Sequence, residues 1–386
     1  MKKIIYILLM GTFLGCSQID NFKLKTKKEK EVDYNLAIIN TGKGQGVLNE
    51  GIGYSRVSTI IKRAEDRYGK KNVLYLDVGG NFSGTKLANK TKGSSSVTVF
   101  NGIKLKATTL GEEDFKYGLD NLEQIKEKSN FKLIATNIKK IDGSTFLDNY
   151  LIEKIGNNKI GIIGLVSPKF YEKLEGREIE KISIEEPISS AKTTIKSFKK
   201  QGVDFIIVLS SLGNDEKINK EWTIKKLAEE TNGIDLIIDK GENNDNSFKI
   251  KNTLIVSSRE KLKSLGIIQI DLNARKTNKN RMNYRVLKAE EIYKNDLPEL
   301  KIEQYLVKKE DTLYSLAKKY KTTVGELLKL NPEIKDGQTI KINQKYLVPI
   351  LKEKFDERIQ ENKKNKTKQI KIIEDRQIKK IIEKIN

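Results

Sequence analysis

Histidine is absent from all 386 residues of the sequence. Histidine is the usual general base near neutral pH and the commonest metal ligand, so its absence excludes His-dependent acid–base catalysis and imidazole-bound metal centres. The only cysteine is Cys16, which excludes internal disulfides and zinc sites built from several thiolates. Enzyme classes that need a His relay or a Cys-ligated metal are therefore ruled out.

Arginine and proline are also scarce. The formal net charge is +22, yet only 10 of the 74 basic residues are Arg and proline occurs 5 times. The lysines are spread over the whole chain, without an Arg cluster or a basic motif interleaved with aromatic residues. Surfaces that bind nucleic acid concentrate their basic residues, so we expect no nucleic-acid partner.

The first 16 residues have the layout of a secretion signal. A basic start precedes an apolar run over residues 4–14, which is too short to span a bilayer comfortably. The end of this run, Gly15 and Cys16, resembles the bacterial lipobox, in which the cysteine is acylated and becomes the new N-terminus. We expect residues 1–16 to be a lipoprotein signal peptide, residues 17–33 a tether, and the protein to lie in the cell envelope outside the cytoplasm, anchored to a membrane through Cys16. An uncleaved or ordinarily cleaved signal is the alternative.

Residues 34–273 alternate short apolar strands with amphipathic helices, which indicates an α/β domain with central sheets. One predicted helix presents an apolar face from Val57 to Tyr68, and another runs over residues 188–200 behind Pro187. Phe115 is predicted to begin a third helix. The predicted strands cover residues 36–40, 73–77, 133–138, 160–166, 205–209, 236–238, 254–256 and 267–272.

Several ordered sequence blocks in this region resemble the calcineurin-like metallophosphatases of the 5'-nucleotidase branch. The blocks are LAIINTGKGQG from Leu36, NVLYLDVGGNFSGTKLANKTKG from Asn72, GEEDFKYGLD from Gly111, FKLIATNI from Phe131, VLSSLG from Val208 and GIDLIIDKGENN from Gly233. The resemblance implies a four-layer α/β/β/α sandwich. It also implies two divalent cations at the strand carboxyl ends, which in the family polarise a phosphate while a bridging hydroxide attacks.

The resemblance further implies that the catalytic and metal ligands of the family are missing here. Its Asp, His and Asn positions fall on residues of other types, namely Lys43, Gln45, Gly80, Glu112, Glu113, Ser211, Gly241 and Asn243. The glycines and apolar residues around these positions are kept, so the fold is expected without catalytic residues, bound metal or other cofactor. We therefore expect a pseudoenzyme.

Two interpretations of the altered site remain open. An ammonium at Lys43 repels a dication, and it can instead form an ion pair with Glu112 or Glu113, which would leave a salt-bridged cleft. Alternatively, Asp77, Glu112, Glu113 and Asp114 could form an oxygen-only site for magnesium, calcium or manganese. The second interpretation would keep a divalent-metal-dependent phosphoesterase or 5'-nucleotidase-like hydrolase.

Residues 304–342 resemble a LysM domain over their whole length, and we place the module at residues 303–350. The resemblance implies a βααβ fold that binds N-acetylglucosamine units of peptidoglycan or chitin. The glycan-binding residues implied are Asp311, Thr312, Leu313, Asn331, Pro332, Glu333 and Ile334. Asp311 and Thr312 are also ordinary residues for the start of a helix, and Leu313 is an ordinary core residue.

The remaining segments are less distinctive. Residues 274–302 are predicted to be a final strand pair and linker. Residues 351–386 are highly charged, but Ile370, Ile373, Ile378, Ile381 and Ile385 fall on one helical face. This tail is predicted to be an amphipathic helix or short coiled coil that associates with another chain, lies on an anionic surface, folds back on the domain or stays solvated.

These observations favour a non-enzymatic envelope lipoprotein whose LysM module binds peptidoglycan. The domain that resembles metallophosphatases would then be a scaffold or an interaction surface. The competing hypothesis is the hydrolase with a rebuilt carboxylate site.

Overall fold

The computed structural model describes residues 32–174, 176–214, 222–241, 244–274, 278, 281–292, 301–320, 322, 324–331, 333–334, 340–350, 372 and 374–385. Cys16, the expected signal peptide and nearly all of the expected tether lie outside these residues. Within the described part of the chain, no helix is both long enough and apolar enough to cross a membrane.

The strands are short and mostly buried. They are β1 (Leu36–Thr41), β2 (Val73–Asp77), β3 (Ala107–Thr108), β4 (Lys132–Leu133), β5 (Ile138–Lys140), β6 (Tyr150–Ile155), β7 (Asn158–Leu165), β8 (Ile182–Ile184), β9 (Phe205–Ser210), β10 (Leu236–Lys240), β11 (Asn246–Ile250), β12 (Thr253–Ser258), β13 (Ser264–Ile270), β14 (Met282–Lys288), β15 (Lys301–Leu306) and β16 (Lys345–Ile350). The α-helices are α1 (Tyr54–Tyr68), α2 (Lys86–Lys90), α3 (Ser94–Gly102), α4 (Leu119–Lys128), α5 (Pro187–Lys200), α6 (Ile224–Glu230), α7 (Leu313–Lys319), α8 (Val324–Leu330) and α9 (Arg376–Ile385).

Two six-stranded sheets form the centre of the domain, in the orders β14-β13-β1-β2-β3-β4 and β11-β12-β10-β9-β7-β6. Strands β1 to β4 run parallel, as do β7, β9, β10 and β12. Ile38 of the first sheet and Phe205 of the second are fully buried in one apolar cluster, so the sheets pack face to face. Helices α1, α3 and α4 cover the first sheet and α5 and α6 the second. The expected four-layer α/β/β/α sandwich is confirmed.

The local sequence explains these elements. Strand β1 is buried at every position, as expected for an apolar strand in the interior of a sheet that is covered on both faces. The two helices predicted around Val57 and behind Pro187 are confirmed as α1 and α5. Helix α5 begins at Pro187, and the Glu186 carboxylate accepts hydrogen bonds from the Ile188 and Ser189 amides. These caps satisfy amides that the helix itself leaves without partners.

The single strand predicted at residues 133–138 is wrong. The chain forms β4 and β5 there, separated by a turn. Asn137 explains the break, because its side chain donates to the Val166 carbonyl at 3.0 Å and accepts from the Val166 amide at 2.8 Å. Thr136 similarly accepts from the Gly164 amide at 3.1 Å. Buried polar side chains thus tie this segment to the end of β7 instead of letting it continue as one strand.

The domain extends beyond residue 273. Strand β14 pairs antiparallel with β13 along its whole length, from Ser264 opposite Lys288 to Ile270 opposite Met282. Ile292 is 3% exposed and belongs to the main apolar core. Residues 274–302 were predicted to be a final strand pair and linker, and β14 is a strand in this stretch. The correction concerns the domain boundary, since residues 282–292 belong to the sandwich and the domain does not end at residue 273.

The C-terminal helix folds back on the domain. Ile378 and Ile382 of α9 are 2% and 1% exposed and belong to the same core cluster as Val57 of α1 and Phe100 of α3. Asp375, just before α9, accepts a hydrogen bond from Ser58 at 2.6 Å and pairs with Lys62 at 2.6 Å. Of the alternatives for the tail, folding back is the one observed. Ile370 and Ile373 lie outside the described residues.

Between β14 and α9, the chain forms β15, α7, α8 and β16. Strands β15 and β16 pair antiparallel, with Lys301 opposite Ile350. The two helices pack on this pair through a separate small core that includes Leu316, Leu327 and Val348. The expected βααβ arrangement is confirmed.

Candidate functional site

The positions that the sequence resemblance aligns with the family's ligands gather where parallel strands end. Lys43 follows β1, Gly80 follows β2, Glu112 lies beyond β3 and Ser211 directly follows β9. Because parallel strands present their carboxyl ends at one edge, these loops meet in one place. Lys240, the last residue of β10, reaches the same place from the second sheet. We call this place the lysine cleft, defined by Lys43, Glu112, Lys169 and Lys240.

Glu112 is the centre of the lysine cleft. Lys240 Nζ donates to Glu112 Oε1 at 2.8 Å, and Lys43 Nζ lies 3.8 Å from Glu112 Oε2. Burial alone would raise the pKa of Glu112, but the ammonium groups of Lys240, Lys43 and Lys169 hold that pKa below its usual value. Glu112 is therefore a stable carboxylate, and the predicted ion pair between Lys43 and Glu112 is present. Glu113 does not join it, since it pairs with Lys173 at 3.6 Å.

Position 80 has no room for a side chain such as a carboxylate, because Lys43 packs against Gly80. Gly80 has φ 74, and a Cβ there would lie 2.7 Å from Lys43 Cγ. The aliphatic stem of Lys43 thus occupies the volume that a side chain at position 80 would need. The residue types at positions 43 and 80 are therefore sterically coupled.

The positions contributed by the second sheet are closed as well. A Cβ on Gly241 would overlap the Ser258 carbonyl oxygen, so no larger residue fits without a backbone shift. Ser211 is buried, and its hydroxyl accepts from the Ser167 amide at 3.0 Å. Gln45 instead reaches Glu260, donating to Oε2 at 2.9 Å. Asn243 lies outside the described residues.

The Asp114 carboxylate binds the backbone amides of two loops. Its carboxylate accepts hydrogen bonds from the amides of Gly80, Asn81, Phe82 and Gly111, at 2.6 to 2.9 Å. Burial raises the pKa of Asp114, and these four donors counteract the rise. The side chain therefore joins the loop after β2 to the loop after β3.

The helix after this loop also begins later than predicted. Glu112 to Tyr117 form a 3-10 helix, Gly118 interrupts it, and α4 begins at Leu119. Phe115 is fully buried and stacks on Phe170, with ring centroids 4.2 Å apart. The apolar Phe115 thus anchors the loop instead of starting the longer helix.

Asp77 is likewise committed to internal hydrogen bonds. It accepts from the Gly79 amide at 2.7 Å, from Asn81 Nδ2 at 2.6 Å, and from the hydroxyls of Thr41 and Thr108. Burial raises its pKa to about 7 against these donors. Among the described residues, no group of three or more His, Cys, Asp and Glu side chains is arranged to hold a metal ion. The donor set of the cleft, with ammonium groups next to one carboxylate, does not fit the two cations that the fold family implies.

The sequence did not reveal the second-sheet side of the cleft. Lys240 and Asp239 lie in the last of the family-like blocks. Nothing in that block predicts that Lys240 contacts Glu112, which lies 128 positions earlier in the chain. Burial raises the pKa of Asp239 to about 6, opposed by Ser210, Lys240 and the Gly213 amide.

A carboxylate restored at position 80 is not expected to restore metal binding. Gly80→Asp should destabilise the domain by about 1–3 kcal/mol, because the new Cβ overlaps Lys43 and the positive φ strains any residue but glycine. Gly143→Asp is the matched control, since Gly143 has φ 84 and nothing within 4 Å of a new Cβ. Denaturant unfolding and manganese titration measure both effects. Equal losses in the two variants, or manganese binding by Gly80→Asp, would contradict the steric argument.

In the βααβ region, the predicted glycan-binding residues separate into two groups. Thr312 and Glu333 are exposed and Leu313 is half-buried, while Ile334 is buried. Asp311 and Asn331 are engaged in hydrogen bonds within the module: Asp311 is half-buried and accepts from the Lys308 amide and the Tyr305 hydroxyl, whereas Asn331 is buried and exchanges hydrogen bonds with the Leu347 backbone. Thr312 also caps α7 by accepting from the Ser315 amide at 3.0 Å. Pro332 lies outside the described residues.

Comparison with curated proteins places the matches in the first part of the chain. The trifunctional nucleotide phosphoesterase protein YfkN of Bacillus subtilis (strain 168) is 29% identical over 214 residues, which cover 48% of this chain and 14% of that protein. The NAD 5'-nucleotidase of Haemophilus influenzae is 27% identical over 192 residues, covering 48% and 30%. The apyrase of Anopheles gambiae is 28% identical over 194 residues, covering 48% and 32%. The chain thus spans less than a third of the length of these relatives.

Solved structures share the fold of the same region. The calcineurin-like phosphoesterase YfkN from Bacillus subtilis superposes with a TM-score of 0.57 at 22% identity, covering 67% of this chain and 91% of that chain. The 5'-nucleotidase precursor from Thermus thermophilus gives a TM-score of 0.53 at 22% identity, covering 65% and 53%. The LysM domain family matches residues 305–349. The chain therefore contains a LysM domain at residues 305–349, joined to a domain with the α/β fold of the calcineurin-like phosphoesterases and 5'-nucleotidases.

Proposed function

We propose that this protein is a cell-envelope lipoprotein that binds the N-acetylglucosamine units of peptidoglycan through its LysM domain. The α/β/β/α domain acts as a non-catalytic scaffold or interaction surface. The LysM match supports the glycan-binding half of the proposal, since its small core and antiparallel strand pair are intact. Lipid attached to Cys16 would hold the protein at a membrane while the LysM domain binds the wall.

The filled lysine cleft is the observation that carries the non-catalytic half. Lys43 occupies the volume next to Gly80, and the Ser258 carbonyl closes the volume next to Gly241. Lys240 and Lys43 both face Glu112. Placing a dication there would require moving two ammonium groups and a strand-end backbone, which repulsion and close packing oppose.

The relatives supply the alternative function. The trifunctional nucleotide phosphoesterase and the NAD 5'-nucleotidase are named for phosphate-ester chemistry, so a hydrolase with a rebuilt carboxylate site is the competing proposal. The internal hydrogen bonds of Asp77 and Asp114 count against it. Of the four carboxylates such a site would use, only Glu112 and Glu113 keep any exposure.

An activity assay separates the two proposals. We expect the full-length protein to release no phosphate from a nucleoside 5'-monophosphate or a chromogenic phosphate ester with added manganese, magnesium or calcium. Turnover that disappears in Glu113→Gln and persists in Glu127→Gln would overturn the non-catalytic proposal. Glu127 is an exposed acid on α4 outside the cleft, so it controls for a general loss of charge.

A further inference from the structure

The end of the sandwich opposite the lysine cleft is formed by the amino ends of the parallel strands. Strands β2, β3, β4, β7 and β9 all begin there. The two sheets meet at this end through ion pairs, since Lys106 Nζ lies 2.7 Å from Glu153 Oε2 and Lys132 Nζ lies 3.2 Å from Asp148 Oδ1. The segments around these strand starts therefore form one continuous surface. We call it the basal edge and define it by residues 65–72, 104–106, 126–132, 148–159 and 199–204.

The fold gathers positive charge at the basal edge from segments that are far apart in the sequence. The basic residues of the edge are Arg67, Lys70, Lys71, Lys104, Lys106, Lys126, Lys128, Lys132, Lys154, Lys159, Lys199 and Lys200. Its acidic residues are Glu65, Asp66, Glu127, Asp148, Glu153 and Asp204. The exposed lysines that form no ion pair with another described residue are Lys70, Lys71, Lys104, Lys128, Lys154, Lys199 and Lys200. The basal edge thus has twice as many basic as acidic residues.

The fold accounts for only part of this excess. Lys199 and Lys200 end α5, where the helix dipole favours positive charge. Lys154 of β6, in contrast, lies directly opposite Lys159 of β7 in an antiparallel pair. Like charges in such positions weaken a sheet, and Lys159 Nζ turns to the Gln201 carbonyl at 2.8 Å. Lys154 therefore gives the sheet no stability of its own, and its ammonium group is directed to solvent.

The chain enters the domain beside the basal edge. Strands β1 and β2 pair in parallel with Ala37 opposite Val73, so Asn35 lies beside the turn that holds Lys70 and Lys71. Residues 17–33 separate Cys16 from this point and can span at most about 60 Å. They contain five lysines and four acidic residues, so they add little net charge. Lipid attached at Cys16 would thus bring the basal edge, and not the cleft, to the membrane.

We propose that the basal edge binds the surface of a bilayer that contains anionic lipids, so that the domain stands on the membrane with the lysine cleft directed away from it. The inference rests on the proposed attachment through Cys16 and adds the face that the membrane meets. Lysine ammonium groups are compact charges that pair with lipid phosphates. Each lysine near an anionic bilayer strengthens binding by roughly fivefold, and salt weakens the attraction. The lipid anchors the protein, and the basal edge orients it.

The test is co-sedimentation of the chain beginning at Ser17 with vesicles of phosphatidylcholine, either pure or mixed with phosphatidylglycerol. This chain keeps every residue that the structure describes and omits the apolar residues 4–14, which would bind any vesicle. We expect binding only to the vesicles that contain phosphatidylglycerol, and we expect it to weaken with added salt. Lys71→Gln combined with Lys154→Gln should weaken this binding by about 25-fold. Equal binding to pure phosphatidylcholine, or none to either vesicle, would overturn the inference.

The matched control is Lys86→Gln combined with Lys90→Gln. Both lysines are exposed on α2, and Thr85 joins the start of this helix to the Gly46 carbonyl in the loop after β1, at the cleft end. The control removes the same charge, so equal losses in the two pairs would show that only the overall charge attracts the vesicle and would refute the basal edge. Thermal unfolding monitors both variants, and Lys154→Gln removes a like-charge contact, which should not destabilise the sheet.

Two further measurements separate this inference from its alternatives. Displacement of the vesicles by duplex DNA at equal phosphate concentration, with the same loss in the variant of Lys71 and Lys154, would assign the edge to nucleic acid and overturn the inference. Mass spectrometry of membrane-extracted protein tests lipid at Cys16 independently. Its absence would refute the proposed attachment, whereas failure of the Ser17 chain to bind vesicles would refute the basal edge and leave both the lipid and the LysM domain as proposed.

Discussion

Replacement of residues 301–350 by a short glycine–serine linker is expected to abolish co-sedimentation with insoluble peptidoglycan and to leave the α/β/β/α domain folded. The replacement is feasible because Lys301 and Ile350 are paired neighbours in the antiparallel β15–β16 ladder. The ends to be rejoined are therefore only about 5 Å apart. Among the described residues, the apolar core of the LysM domain shares no member with the clusters of the sandwich, so we expect its removal to leave the sandwich core intact.

The control for this experiment follows from the fold. A chain ended at residue 273 would remove β14 and α9, both of which belong to the sandwich, so lost binding could then reflect unfolding. The linker variant avoids this. Because the net charge of +22 could attract an anionic wall unspecifically, sedimentation should be repeated at high salt and with a soluble N-acetylglucosamine oligomer as competitor. Equal sedimentation by the linker variant, or no competition by the oligomer, would refute glycan binding through the LysM domain.

The structure also limits which point variants report on the glycan. Asn331 is 2% exposed, and its side chain joins the end of α8 to β16 through the Leu327 and Leu347 backbones. Its replacement would disturb the module itself, whatever the glycan does. Thr312 and Glu333 are the exposed members of the predicted glycan-binding set. Replacement of Glu333 tests contact more directly, because Thr312 also caps α7.

The two-sheet fold could be predicted from the sequence because its signal is local. Each central strand is an apolar run, and each covering helix has a 3.6-residue stripe, so β1, α1 and α5 follow from pattern alone. A final strand pair was expected within residues 274–302, but the bounds of β14 and its place in the first sheet could not be predicted in this way. Its residues are half-buried at an edge position, and its place in the sheet depends on β13, from which it is separated by a polar connection.

The site could be predicted in part. Family blocks located Lys43, Gly80 and Glu112, and the ion pair between Lys43 and Glu112 followed from their charges. The contact of Glu112 with Lys240 joins the two sheets, so it depends on packing that no short motif encodes. Asp114 shows the same limit, because its four amide donors come from a loop about 30 positions away and from its own turn.

Loss of the apolar face of α9 should have the largest effect on stability. Ile378→Ala and Ile382→Ala are each expected to destabilise the domain by about 2–5 kcal/mol, because both side chains are almost fully buried against α1 and α3. Lys380→Ala with Lys384→Ala is the matched control on the exposed face of the same helix. That pair should change the unfolding free energy by about 0.5 kcal/mol or less. Urea unfolding measures the free energy of unfolding of the two single variants and of the double lysine variant.

Hydrogen exchange would then distinguish local release of α9 from global unfolding. If α9 is part of the cooperative core, amides of α1 and α3 should lose protection together with those of α9 in the isoleucine variants. Asp375 gives an independent check, since Asp375→Asn removes its ion pair with Lys62 but keeps an acceptor for the Ser58 hydroxyl. Isoleucine variants as stable as the lysine control would show that α9 contributes nothing to the core. Loss of stability would instead mean that the sandwich holds the chain on both sides of the LysM domain, which limits how far that domain can move from the scaffold.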